Sequence, residues 1–300
     1  MTDTLTPAPP QRKSKSARAL GILWRDRSAM IGFAIILALV VFAVFAPQIA
    51  PYDPKAQSLL NALRPPSSAH WLGTDEYGRD VLSRIIFGTR PALMVGVLAV
   101  LFGMSLGIPI GIMAGFWMGW FDRVVGWLVD IMLSFPSLLL ALMIVALLGS
   151  SLPVLVIAIG MSSIPSFIRL ARSSTLTVKN NEYVAASRSF GASDLRIMLR
   201  HIFPNIMGPI IVMGTLGIAS AIREEASLSF LGLGIQPPDA SWGNIIRDGI
   251  TYVLQAPHLA IAPGLILTLS VLAFNMLGDT VRDMFDPRDL ASTATKRTKK

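Results

Sequence analysis

Five stretches of this chain carry no Asp, Glu, Lys or Arg. They lie between Arg27 and Asp53, Arg90 and Asp122, Asp130 and Arg169, Arg200 and Arg223, and Asp248 and Asp279. A helix needs roughly 20 apolar residues to cross the hydrocarbon of a bilayer. A chain in lipid has few alternatives to a helix, because it must satisfy its own backbone polar groups. Four of the runs fit one span each. The run after Asp130 holds 38 residues and is interrupted at Gly149-Ser150-Ser151-Leu152-Pro153, so it fits two. The expected fold is an all-α membrane protein with six transmembrane helices, at about 28–49, 92–117, 124–148, 153–172, 205–223 and 257–280. The charged fraction of 15% and the mean hydropathy of +0.60 agree, since a soluble domain carries about 25% charged residues.

Six spans put both termini on one side. The segments on that side, 1–27, 118–123, 169–204 and 281–300, hold 19 of the 26 Lys and Arg, and the opposite side holds seven. The positive-inside rule places the richer side, with both termini, in the cytoplasm. That asymmetry accounts for the net charge of +8 without a nucleic-acid partner. The first span is too long for the roughly 7–15-residue core of a cleaved signal, and no clean A-x-A site follows it. It reads as a signal anchor. The expected organisation is a basic tail over 1–27, then the anchor and an external segment over 28–90. A transmembrane domain follows over 91–285, and a cytoplasmic tail over 286–300. Both tails read as disordered. The long external segments 50–90 and 224–256 are candidates for function.

Inside the membrane, Gly103, Gly107, Gly111 and Gly115 recur every four residues. They form a face that permits close backbone approach, either to another helix of this chain or to a partner. Every span but the first has a proline well inside it, Pro109, Pro136, Pro165, Pro209 and Pro263, whereas Pro47 falls at the end of the first. Such breaks are tolerated where protein or water satisfies the freed carbonyls, which suits kinked helices around a path, with ordinary irregularity of spans as the alternative. Asp130 is the one acid read as lying within a span. It reads as an ion-pair partner of Arg123 or Arg169, or as part of a relay.

Several chemistries have no residues to stand on. No G-x-x-x-x-G-K-[ST] phosphate loop is present, and Gly160-Met161-Ser162-Ser163-Ile164 lacks the last glycine of a nucleophile elbow. Gly232-Leu233-Gly234 is not followed by a third glycine in dinucleotide register. His70, His201 and His258 are scattered, and there is no cysteine. An enzyme, a resident cofactor and a metal site are not expected.

One charged unit interrupts the oily second half: EYVAASRSFGASDLRIMLRHIFPN, Glu182 to Asn205. Glu182 to Ser189 can form two helical turns, Gly191 suits a left-handed stop, and Ser193 and Asp194 suit the start of a second helix. Pro204 then opens the next span. The small residues Ala185, Ala186 and Ser187 leave room for close docking. A helix lying on the lipid surface would share these traits.

The unit resembles the cytoplasmic "EAA" loop of permeases from binding-protein-dependent ABC importers, which reads E-A-A, three residues, G, nine residues, I-x-L-P. Gly191 and Pro204 fall at the right separation, and the two alanine positions read Ala186 and Ser187. The glutamate position reads Ala185, with an acid one turn earlier at Glu182; the Ile and Leu positions read His201 and Phe203. Further stretches are similar to the dipeptide, oligopeptide and nickel subfamily: Leu72-Gly73-Thr74-Asp75 through Gly78-Arg79-Asp80 to Arg84, Glu225 to Gly234, Ser241-Trp242-Gly243, Gly278-Asp279, and Asp286-Pro287-Arg288. The extended segment after the first span is similar to the second of the two permeases such importers contain.

The resemblance implies an ABC importer permease fold in the bacterial inner membrane. It implies a second, homologous permease, two ATP-binding subunits that bind the ATP, and an external substrate-binding protein. Glu182, Ala185, Ala186, Arg188, Gly191, Asp194 and Pro204 would couple to the ATPases through a loop at 182–203. Gly73, Asp75, Gly78, Arg79, Asp80, Glu225 and Trp242 carry the external signature. Di- or oligopeptides are the expected cargo, with nickel or another small solute as the alternative. An ion-coupled secondary carrier and a membrane scaffold are the competing classes.

Overall fold

The computed structural model describes residues 27–285; both tails read from the sequence lie outside the described residues. Among the described residues the regular structure is helical. Helices α1 (Arg27–Val44) and α2 (Ala46–Ile49) are followed by α3 (Val81–Trp117), α4 (Gly119–Leu133), α5 (Ser137–Leu148) and α6 (Leu152–Lys179). Then come α7 (Glu182–Ser189), α8 (Asp194–Ile197), a π turn at Met198–Ile202, α9 (Phe203–Phe230), α10 (Trp242–Thr251) and α11 (His258–Phe285). Five helical stretches are long and apolar enough to cross a membrane, and α4 with α5 makes a sixth if the pair counts as one span.

The third span departs from the sequence expectation. It is not one kinked helix: α4 and α5 meet at 86° around a short break. The cause is Pro136, which precedes α5 at φ −55°, ψ 134°. A proline pushes the residue before it out of the α region and removes a donor. Pro109, Pro165, Pro209 and Pro263 stay inside their helices, as does Pro91. The fifth span also runs further than its charge-free stretch, because α9 continues past Arg223 to Phe230. Glu224 and Glu225 therefore belong to the helix and not to the loop expected over 224–256.

The glycine face resolves as packing within the chain. A Cβ on Gly107 would lie 2.7 Å from Phe167 Cβ, one on Gly111 2.5 Å from the Ile168 carbonyl, and one on Gly115 2.7 Å from the Arg172 carbonyl. One on Gly103 would meet Ser163 Oγ. The whole stripe thus seats α3 on α6, and Gly160 on α6 reciprocates, 2.9 Å from the Ala99 carbonyl by the same construction. The stripe is spent on this contact, not on a partner. Helix α1 is peripheral: it buries Ala29, Gly32 and Leu39, and Gly32 approaches α11 at Ala273.

The bundle has two distinct ends. At one, called here the cap, residues 45–80 and 231–257 fold over the tips of α3, α9 and α11. At the other, called the elbow, α7 and α8 hang below the ends of α3 and α6.

Candidate functional site: the elbow, the cap and a polar cavity

At the elbow, the short helix α7 ends in a Schellman-type stop. The Ala192 N–H donates to the Ser187 carbonyl at 3.2 Å and the Gly191 N–H to the Arg188 carbonyl at 3.0 Å. This geometry asks for a left-handed residue, and Gly191 supplies it at φ +78°. No atom would obstruct a Cβ there, so the backbone angle alone selects glycine. Ser193 precedes α8 with extended backbone, but its side chain makes no capping bond, contrary to the expectation. The second helix is not separate either. Helix α8, the π turn and α9 form one apolar stretch from Asp194 to Phe230, 37 residues long. Pro204 sits within this run, where it cannot donate to the Arg200 carbonyl.

Two residues anchor the elbow, Val184 of α7 and Ile197 of α8. Val184 is buried with Ile197, Met198, Ile202 and Ile206, against Ile108, Ile112 and Phe116 of α3. Around it, Trp117 Nε1 donates to Asp194 Oδ2 at 3.1 Å, the Lys179 ammonium donates to the Phe116 carbonyl, and the Arg188 guanidinium lies 5.3 Å above the Phe116 ring. Glu182, Ala185, Ala186, Arg188, Gly191, Asp194 and Pro204, read from the sequence as coupling residues, are all exposed. Sequence reading missed Phe190, which projects at the tip with 90% of its surface exposed. It also treated His201 only as a departure from the motif. His201 Nε2 lies 3.2 Å from Ser187 Oγ, tying α7 to the π turn.

Asp130 pairs with Arg169 at 2.7 Å and not with Arg123. A second clamp joins the same two helices: Arg172 donates to both Asp122 oxygens through one guanidinium edge, Nε to Oδ1 and Nη2 to Oδ2, the latter at 2.7 Å.

The cap is built differently. Asp75 accepts from the Tyr77 and Arg79 N–H groups at 2.9 Å each, and binds Arg79 Nε at 2.6 Å. Asp80 caps α3 by accepting from the Ser83 N–H at 2.8 Å, and its other oxygen lies 2.9 Å from His70 Nδ1. Gly73 and Gly78 take positive φ, and a Cβ on Gly78 would collide with the Ser58 carbonyl. Trp242 is fully buried; its Nε1 donates to the Ile85 carbonyl at 3.0 Å. Glu225, also fully buried, accepts from Ser229 Oγ at 2.8 Å. That serine in turn receives the Ile235 N–H at 3.1 Å. Half-burial pushes the Glu76 carboxyl above the ordinary carboxylate range. The seven residues of the external signature are thus buried and hold the cap on the bundle.

Between the ends lies a cavity of about 360 Å³. Ser137 of α5, Ser162, Ser163 and Ser166 of α6, and Ser220, Arg223 and Glu224 of α9 supply its polar lining. Glu224 accepts from Ser137 Oγ at 2.9 Å, and Ser162 Oγ lies 3.5 Å from its other oxygen. The sequence signal for this site was the EE pair at 224–225 beside serine-bearing spans, hidden by the rule that a charge ends a span.

A multi-helical membrane bundle with an exposed elbow and a central polar cavity is a transport permease. The comparisons agree. Residues 107–289 match the family model described as binding-protein-dependent transport system inner membrane component, and residues 14–66 match the N-terminal TM domain of oligopeptide transport permease C. The chain is 43% identical over 265 residues to the glutathione transport system permease protein GsiD of Pectobacterium atrosepticum, covering 88% of each chain. It is 41% identical over 266 residues to the dipeptide transport system permease protein DppC of Alkalihalophilus pseudofirmus, covering 89% of this chain and 88% of that one. Among solved structures, an inward-facing form of the MetNI methionine ABC transporter superposes with a TM-score of 0.58 over 68% of this chain and 98% of the other, at 17% identity; it shares the fold. The chain belongs to the family of binding-protein-dependent transport system inner membrane components.

Proposed function

We propose that this permease imports di- or oligopeptides across the bacterial cytoplasmic membrane, with its elbow in the cytoplasm and its cap outside. Two ATPases bind the elbow, a second homologous permease completes the pathway, and an external binding protein delivers cargo to the cap. The observation that carries the coupling role is the elbow itself. It is a helix–Gly–helix unit held by one buried apolar residue on each helix, Val184 and Ile197, with its motif residues and Phe190 exposed. The excess of Lys and Arg on the elbow side supports the orientation. At the cap, Leu60, Trp71 and Leu254 protrude, with exposures of 92%, 69% and 97%, and offer apolar contacts to a delivering protein. The peptide reading rests on relatives whose names assign them glutathione and dipeptides. Nickel draws no support from the described residues, which contain no cluster of metal-ligating side chains. ATP-independent uptake by a lone chain would be required of a secondary carrier.

The test is reconstitution of the complete importer in proteoliposomes with a radiolabelled dipeptide. Uptake should require ATP, the ATPase subunits and the binding protein. A Gly191→Val variant should insert and assemble, since nothing crowds the site, yet lose uptake or its link to ATP hydrolysis. A left-handed angle costs an ordinary L-residue roughly 1–2 kcal/mol and a β-branched one more. Normal transport by a well-assembled Gly191→Val importer would refute the coupling role.

A further inference from the structure

The central cavity has a definite depth. Ser162 is ten residues from the cap end of α6, Ser220 ten from that of α9, and Ser137 eleven from that of α5. At 1.5 Å per residue these positions lie about 15–16 Å from the helix tips, a distance comparable to half a hydrocarbon layer of about 30 Å. Three helices therefore bring hydroxyls to one level, and Glu224 adds a carboxylate about 9 Å below the tip of α9. The break at Pro136 is what delivers Ser137, because it starts α5 at this depth.

Glu224 is an expensive residue to keep there. A charged acid within a span costs at least about 2.5 kcal/mol by the mildest scales unless it is compensated. The two serines are its hydrogen-bond partners, and no Lys or Arg lies within ion-pairing distance among the described residues. Arg223 lines the same cavity and acts on Glu224 through space, but its Nη2 faces Ser220 Oγ at 3.5 Å and makes no ion-pair contact with the carboxylate. Three other acids of the bundle contrast with it: Asp122 and Asp130 hold arginines, and Glu225 is sealed away; Asp279 and Asp283 lie near the elbow end of α11. Glu224 alone opens onto a cavity large enough for a solute group, at the low end of the roughly 300–1,000 Å³ of small-molecule sites.

We infer that Glu224, flanked by Ser137 and Ser162, receives the cationic group of the passing solute. For a peptide that group is the terminal ammonium, which can bond to the carboxylate while the serine hydroxyls rotate to meet neighbouring carbonyl oxygens. The inference rests on the peptide reading for the identity of the solute, not for the existence of the site. The contact is an exchange: substrate and acid each lose water and gain one another, so the site lowers the barrier without trapping the cargo.

The chain has no cysteine, so Ser162→Cys gives it a single thiol. In the assembled importer, a cationic methanethiosulfonate should label that thiol about tenfold faster than an anionic one of equal size, a difference of about 1.4 kcal/mol. Adding an unlabelled alanine dipeptide with its binding protein and ATP should slow the labelling. Glu224→Gln should erase both the preference and the protection. In the cysteine-free chain it should cut dipeptide uptake about tenfold while the ATPases still copurify, and Glu224→Asp should restore part of the uptake. The inference is overturned by the Ser162→Cys importer alone if it shows neither cation preference nor protection, whatever becomes of the Gln variant. It is also overturned if an assembled Glu224→Gln importer transports as well as the original. A Ser162→Cys importer that keeps cation preference while the unmodified importer takes up no peptide would defeat the peptide reading instead, and protection by an amine-bearing non-peptide solute would then decide this one.

Discussion

The two ends of the molecule use their motif residues in opposite ways. At the cap, Gly73, Asp75, Gly78, Arg79, Asp80, Glu225 and Trp242 are buried, and their polar atoms close on one another. At the elbow, the motif residues are exposed and two apolar residues, Val184 and Ile197, hold the unit in place. A recognisable motif can therefore mean internal construction at one end and an open surface at the other. Burial distinguishes the two where the sequence pattern does not. The cap has few degrees of freedom left, whereas the elbow leaves most of its motif residues at the surface.

The sharpest way to break this contrast is Trp242→Ala. Truncating a fully buried tryptophan costs about 3–5 kcal/mol, and here it also removes the Nε1 bond to the Ile85 carbonyl. Thermal unfolding of the detergent-purified chain should show the loss, and an unchanged midpoint would mean the cap is not a stabilising lid. Next comes the α3–α6 seam. Gly111→Val should cost about 1–3 kcal/mol by overpacking, because the obstacle is the Ile168 backbone. Gly126→Ala, inside α4 where nothing lies within 4 Å, should instead stabilise by up to about 1 kcal/mol through helix propensity; equal losses at both sites would show that the seam is no tighter than an open position.

At the elbow the same kind of substitution should do something else. Phe190→Ala should leave the unfolding midpoint within about 0.5 kcal/mol of the original, as expected of an exposed position. It should weaken ATPase copurification by on the order of tenfold, as expected of an aromatic anchor at an interface. Destabilisation without loss of copurification would reverse the assignment. The smallest effect concerns pH at the cap. Burial raises the Glu76 carboxyl in the folded chain. Its stabilising contribution is complete below the ordinary carboxylate value and is lost as pH rises through the raised one. A Glu76→Gln chain should therefore gain in stability relative to the original between pH 4 and pH 7, as read by midpoints across that range.

Much of the architecture was legible because lipid leaves a chain little choice. Charge-free runs located the spans, and a four-residue glycine period located the α3–α6 seam. Two features escaped for one physical reason. Counting charges treats every acid as a residue outside the lipid, yet Glu224 and Glu225 remain in the helix because serines and buried surface meet them. The break at Pro136 was read as a kink because a proline in a span is consistent with either outcome; where the chain goes next depends on tertiary packing. At the elbow, Gly191 announced its stop, but the continuity of α8 with α9 was hidden by Pro204. That residue marks a boundary by local rules and is accommodated here after a wide turn.

That wide turn at Met198–Ile202 has a geometric corollary. It holds one more residue per loop of backbone than the helix on either side. Were it to tighten to ordinary winding, everything downstream would turn by about 100° about its own axis, sweeping Glu224 from one neighbour to another without unzipping a single long rod. A gear with one spare tooth at the elbow would thus set which way Glu224 faces some forty ångströms away, about 26 residues at 1.5 Å each.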